Sequence, residues 1–210
     1  MIVSPFIAWQ DGPPLVLASA SPRRAELLRI AGIPCEVRVA GGAEAGIAER
    51  VGSEDPERYA IALALAKAEA VAVAHPGRLV LGADTIVVLD GNVLEKPISP
   101  DDAARMLGLL QGRRHTVITA LALLGGAGGP QTCAESTAVE FLPLQPETIR
   151  RYVATGEPMD KAGAYGIQGY GAMMVRRIEG CYFNVMGLPL ARLGDALRAA
   201  AGTTAVQEDG

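Results

Sequence analysis

The segment Leu15–Arg24 restricts the fold more than any other. An apolar run, Leu15-Val-Leu-Ala18, ends in Ser19-Ala-Ser21, and Pro22-Arg-Arg24 then opens a helical pattern that continues through Ala25–Ile30. A buried strand passing directly into a helix is the first half of a βαβ unit, so a layered α/β fold is expected. Ser21 suits the N-cap and Pro22 the first helical position. Unpaired backbone N–H groups and the positive end of the helix dipole then meet at this turn, where an anion is stabilised. Arg23 and Arg24 add permanently charged forks matched to phosphoryl oxygens. Two readings stay open here: a phosphate cradle, and an ordinary capped amphipathic helix with solvated arginines.

With 210 residues the chain can form one sizeable α/β domain or two small lobes around a cleft. Cys35–Val39 is expected as a second strand and Gly41–Gly52 as an irregular loop. Asp55-Pro56 opens a largely buried helix to Ala74, and Leu79–Leu89 reads as the clearest buried strand. The turn Asp90-Gly91-Asn92 returns Val93–Glu95 antiparallel, and Ser99-Pro100 starts a helix ending near Gly112. Arg114–Leu124 and Thr132–Leu142 are β-rich; a short helix from Gln145-Pro146 to Ala154 precedes the glycine-punctuated loop Gly156–Gly171. A strand at Ala172–Ile178 and a helix at Pro189–Ala200 close the chain. Hairpins beside crossovers predict a mixed twisted β-sheet flanked by helices. The domain is expected over 15–201, with 1–14 as an extension and 202–210 as a frayed tail.

A net charge of −4 argues against broad binding to nucleic-acid backbones, so local arginines serve a small anion. No run is long enough to span a bilayer, and Met1–Pro14 lacks a signal peptide's basic region. Cys35, Cys133 and Cys181 show no CxxC spacing, which fits a reducing cytoplasm.

Asp84 is the leading catalytic candidate, because a carboxylate inside the apolar run Leu79–Leu89 must be paired, hydrogen-bonded or metal-bound. Its bland reading is a structural aspartate holding a β-bulge beside Gly82. Thr85 faces the other way in a regular strand, whereas a bulge would bring both side chains to one cleft. Glu95-Lys96-Pro97 offers an acid–base pair near the same strand end, either a surface ion pair or a lysine that neutralises a phosphoryl oxygen. Lys67 invites the same two readings. In Gly156–Gly171, Asp160, Lys161, Tyr165 and Gln168 make a recognition loop or a plain surface loop; Gln168 can donate and accept at once, which suits a pyrimidine edge. His75 and His115 belong to no metal or triad pattern, so a metal here is a hard cation such as Mg²⁺ or Mn²⁺ between Asp84, Glu44 and triphosphate oxygens.

Taken together, Leu17–Arg24, Lys67-Ala68, Gly82–Thr85, Glu95–Pro97, Gly112–Thr119 and Asp160–Gly169 resemble the Maf family of nucleoside triphosphate pyrophosphatases, from about Leu15 to Leu190. The resemblance implies a Maf/ITPase-like fold with a central cleft. It also implies hydrolysis of a nucleoside triphosphate to the monophosphate and pyrophosphate, with Mg²⁺, Mn²⁺ or Co²⁺, in the cytoplasm and as a homodimer. Carried over by position, Asp84 is the proton acceptor. Ser19, Arg23, Arg24, Lys67 and Lys96 bind or neutralise phosphates, and Glu44 is the second metal carboxylate. The family's usual Asp-Glu pair reads Ala43-Glu44 here. Arg23, Thr85 and Gln168 resemble the dTTP/UTP-hydrolysing branch rather than the 7-methyl-GTP branch. The rival reading within the family is a nucleotide-binding inhibitor of septum formation and cell division that needs no hydrolysis.

Overall fold

The computed structural model describes residues 13–126 and 129–201. The proposed tail 202–210 and most of the proposed extension lie outside the described residues. Strand β1 (Leu15–Ala18) is wholly buried and leads into α1 (Pro22–Ile30), then β2 (Cys35–Val37), shorter than expected. The segment expected to be irregular contains a short helix, α2 (Ile47–Val51). Helix α3 (Pro56–Ala72) starts where Asp55 accepts a hydrogen bond from the Arg58 N–H, a side-chain cap that satisfies one of the first-turn donors.

The centre of the sheet is β3 (Val80–Leu89), followed by its hairpin partner β4 (Asn92–Leu94) and α4 (Pro100–Leu110). The chain continues through β5 (Arg114–Leu124), β6 (Gln131–Phe141), α5 (Pro146–Ala154), and three 3₁₀ turns at 157–160, 162–164 and 169–174. The last strand, β7 (Val175–Glu179), begins later than expected because residues 169–174 are helical. Helices α6 (Tyr182–Val185) and α7 (Leu190–Ala200) finish the described chain.

The sheet is mixed, in the order β2-β1-β3-β5-β6-β7, with β4 beside β3. Strand β1 is parallel to both β2 and β3, and every other pairing is antiparallel. Alternation along β3 and β5 assigns their side chains to two faces. Val80, Ile86, Ile118, Ala120 and Ala122 meet α3 on one face. On the other, Leu81, Ala83, Leu121 and Leu123 join the α1 and α7 side chains, whereas Val87, Leu89 and Val117 join α4 and α5. Two lobes thus share one face of the sheet, and a cleft opens between them.

A polar belt marks the seam. Thr85 and Thr119 are register partners, and their hydroxyls lie 2.9 Å apart. Thr119 donates its own proton to the Asn184 carbonyl, so Thr85 is the donor to Thr119. Asn184, fully buried, accepts from the Thr119 N–H and donates to the Val117 carbonyl and the Thr137 hydroxyl. Each buried polar atom of the belt finds a partner, as a dry interior demands.

Candidate functional site

Strand β1 ends opposite Gly82, and β4 begins its pairing at Val87. Between those points the outer edge of β3 carries no strand, and the cleft enters there. Two adjoining open chambers share Ser21, Arg23, Arg24, Lys67, Lys96 and Asp160 in their walls. One chamber reaches toward Ser19 and Glu44, the other toward Thr85, Tyr165 and Gln168.

The bulge considered for Asp84 is absent: β3 pairs with β5 without a register shift from Val80 to Val88. Asp84 points to the α3 side and Thr85 to the seam, and both line the cleft through the uncovered edge. Helix α3 can reach Asp84 because it lies directly on Gly82, where an added Cβ would sit 2.1 Å from the Ala64 carbonyl oxygen. Lys67 is thereby brought 2.5 Å from the Asp84 carboxylate, and its ammonium also pairs with Glu44. Burial pushes the Asp84 carboxyl above its ordinary range, against the opposing pull of Lys67 and Arg24.

Ser21 occupies the N-cap of α1, but its side chain makes no capping bond. Ser19 takes over locally: its hydroxyl accepts the Ser21 N–H at 3.3 Å and an Arg24 N–H at 2.9 Å. The first turn of α1 has no acidic residue and faces the Glu44 chamber, so its dipole remains available to an anion. Arg24 is buried and engages the protein itself. Its fork donates to the Gly187 and Ala83 carbonyls and to the Ser19 and Thr85 hydroxyls, at 2.7–2.9 Å. Arg23 is more open and meets Asp160 across the cleft at 3.2 Å.

Glu95 and Lys96 do not pair. The Tyr59 hydroxyl donates to the Glu95 carboxylate at 2.6 Å, and the Glu95 carbonyl accepts from the Gly163 N–H. Glu95 therefore anchors the turn, while exposed Lys96 projects into both chambers and makes no hydrogen bond or ion pair among the described residues. Gln168 is likewise exposed along the other chamber. Tyr165, which forms part of that wall, is held from behind by His115, whose Nε2 lies 2.8 Å from the tyrosine oxygen. His115, which belongs to no metal or triad pattern in the sequence, is buried in this aromatic group with Phe141. Its support of the cleft wall had no local signal in sequence, since 50 residues separate it from Tyr165.

The fold and cleft define an α/β protein whose first helix turn, arginines and lysines line two adjoining open chambers at the edge of β3. A Maf-like protein model matches residues 14–200, and the chain belongs to the Maf family. It is 54% identical over 185 residues to the dTTP/UTP pyrophosphatase of Moorella thermoacetica, covering 87% of this chain and 93% of that protein. The dTTP/UTP pyrophosphatase of Symbiobacterium thermophilum is 53% identical, with coverage of 85% and 89%. That of Koribacter versatilis is 50% identical, with coverage of 93% and 98%.

Proposed function

We propose that the protein hydrolyses dTTP and UTP to the monophosphate and pyrophosphate in the cytoplasm. The observation that carries this reading is the position of Asp84: a buried carboxylate on the uncovered edge of β3, between the α1 cradle and the Gln168 chamber. Names borne by relatives at about half identity over most of the chain support the same substrate class.

In the proposed reaction the triphosphate lies against the first turn of α1, Arg23, Lys67 and Lys96, and the base enters the chamber of Thr85 and Gln168. Asp84 accepts a proton from water as its oxygen attacks the α-phosphorus. The bond from that phosphorus to the bridging oxygen breaks, and pyrophosphate leaves with its charge countered by the lysines. Arg24 is a positioning residue that holds Thr85 and the α1 turn in place. Asp84 and Glu44 fit a hard divalent cation: both are carboxylates, and they already converge on one positive charge, the Lys67 ammonium. Such a cation supplies further charge stabilisation to the triphosphate oxygens.

Release of pyrophosphate from a panel of normal and modified triphosphates, with and without Mg²⁺, Mn²⁺ or Co²⁺, tests the reading. Preference for UTP and dTTP is expected. Preference for 7-methyl-GTP, or tight nucleotide binding without any pyrophosphate release, would overturn it.

A further inference from the structure

The Gln168 arch has an unusual suspension. Glu157 Oε2 accepts from the Tyr170 N–H at 2.9 Å, and Oε1 accepts from the Gly171 N–H at 3.0 Å and the Tyr152 hydroxyl at 2.9 Å. The Tyr152 oxygen in turn accepts the Gly166 N–H at 3.3 Å. Both ends of the segment 166–170 therefore hang, directly or through one phenol, from a single carboxylate. Against a desolvation cost, the Gly171 and Tyr170 N–H groups and the Tyr152 hydroxyl hold Glu157 below the ordinary carboxyl range. It works as an anion.

The neighbouring glycines record how closely this packing is drawn. A Cβ on Gly169, whose φ is +70°, would lie 2.5 Å from Glu157 Oε2. One on Gly171 would lie 2.2 Å from the Gly166 carbonyl oxygen and 2.8 Å from the Tyr152 oxygen. The Gln168 side chain makes no hydrogen bond among the described residues and is exposed along the cleft, so its direction depends on the backbone beneath it.

We propose that Glu157, with Tyr152 as its relay, is a positioning residue that aims Gln168 and so sets base discrimination without touching the nucleotide. This rests on the proposed reading of the base by Gln168. A glutamine in place of Glu157 keeps the shape but turns an NH₂ donor toward backbone N–H groups that need an acceptor, which releases one end of the arch.

The experiment compares kcat and KM for UTP and GTP in the full chain and in Glu157→Gln, Tyr152→Phe, Gln168→Ala and the Glu157→Gln/Gln168→Ala double variant. Each is first checked for a cooperative thermal transition. Glu157→Gln is expected to lower the UTP-to-GTP ratio of kcat/KM by about tenfold, chiefly through the KM for UTP, the scale of one hydrogen bond to a base edge. Tyr152→Phe should lower it about threefold, a weaker effect because the direct bonds to Glu157 survive. The double variant should match Gln168→Ala alone, because both changes act through one side chain. If Gln168→Ala changes the ratio but neither Glu157→Gln nor Tyr152→Phe does, the positioning role is overturned. Effects that multiply in the double variant would overturn it equally. A ratio unmoved by Gln168→Ala would instead overturn base reading by Gln168, and this proposal with it. Should Glu157→Gln fail to fold, Tyr152→Phe carries the test alone.

Discussion

Arg24 donates to the hydroxyl of Thr85 at 2.9 Å, tying the first helix to the central strand at the boundary between the two lobes. The same guanidinium holds Ser19, Ala83 and Gly187, so three buried acceptors and the half-buried Thr85 hydroxyl depend on one fork. Arg24→Lys keeps the charge but replaces the planar fork by a point donor. Its expected cost is about 2–4 kcal/mol, from buried acceptors left unpaired. In a chain of this size that is a fall in Tm of roughly 5–15 °C, read by thermal unfolding. A change of less than about 2 °C would show that the fork is not holding the seam.

Acid stability reports on His115. Burial lowers its imidazole from 6.5 to about 4. Above pH 6.5 the ring is neutral in both folded and unfolded chains and contributes no pH dependence. Between 6.5 and 4 only the unfolded chain takes up the proton, so stability falls, levelling at a loss of roughly 3 kcal/mol. His115→Gln is expected to remove that part of the acid slope. Urea unfolding from about pH 7.5 to 4 measures it, and parallel curves for the two proteins would contradict the assignment.

The Lys67–Asp84 pair should be energetically lopsided. Because burial raises the Asp84 carboxyl, the unfolded chain ionises first as pH rises, and folding at neutral pH carries the cost of a buried charge. Asp84→Asn removes that cost and leaves Lys67 paired with Glu44. An increase in Tm of about 2–4 °C near pH 7.5 is expected, equivalent to about 1 kcal/mol, shrinking as the pH is lowered toward about 4. Lys67→Met removes the ion-pair partner of Asp84 and should instead destabilise by about 3 kcal/mol. Equal and same-signed effects of the two substitutions would contradict this picture of the pair.

How much of this was legible in the chain depended on range. The β1–α1 junction, the start of α3 at Asp55-Pro56 and the 89–92 hairpin were readable because each is decided by neighbouring residues. Asp84 stood out because a carboxylate inside an apolar run needs an explanation. The side chain of Ser21 failed to cap because Ser19 and Arg24, fixed by the distant Ala83 and Gly187 carbonyls, organise the turn. The Glu95–Lys96 pairing failed for the same kind of reason: Tyr59, 36 residues away, takes the carboxylate. Whether Asp84 and Thr85 share a cleft depends on where β1 and β4 stop along β3, which is a property of the sheet and not of either residue.

Turnover by Asp84→Asn tests the central claim most directly. With UTP and a divalent cation, kcat is expected to fall by about 10²–10⁴-fold, the range associated with losing a general base. Measured without a divalent cation, the Kd for UTP should remain within about threefold, since the cradle at α1 and the lysines are intact. A variant retaining kcat within about tenfold of the parent would contradict the proposed chemistry and remove Asp84 from it.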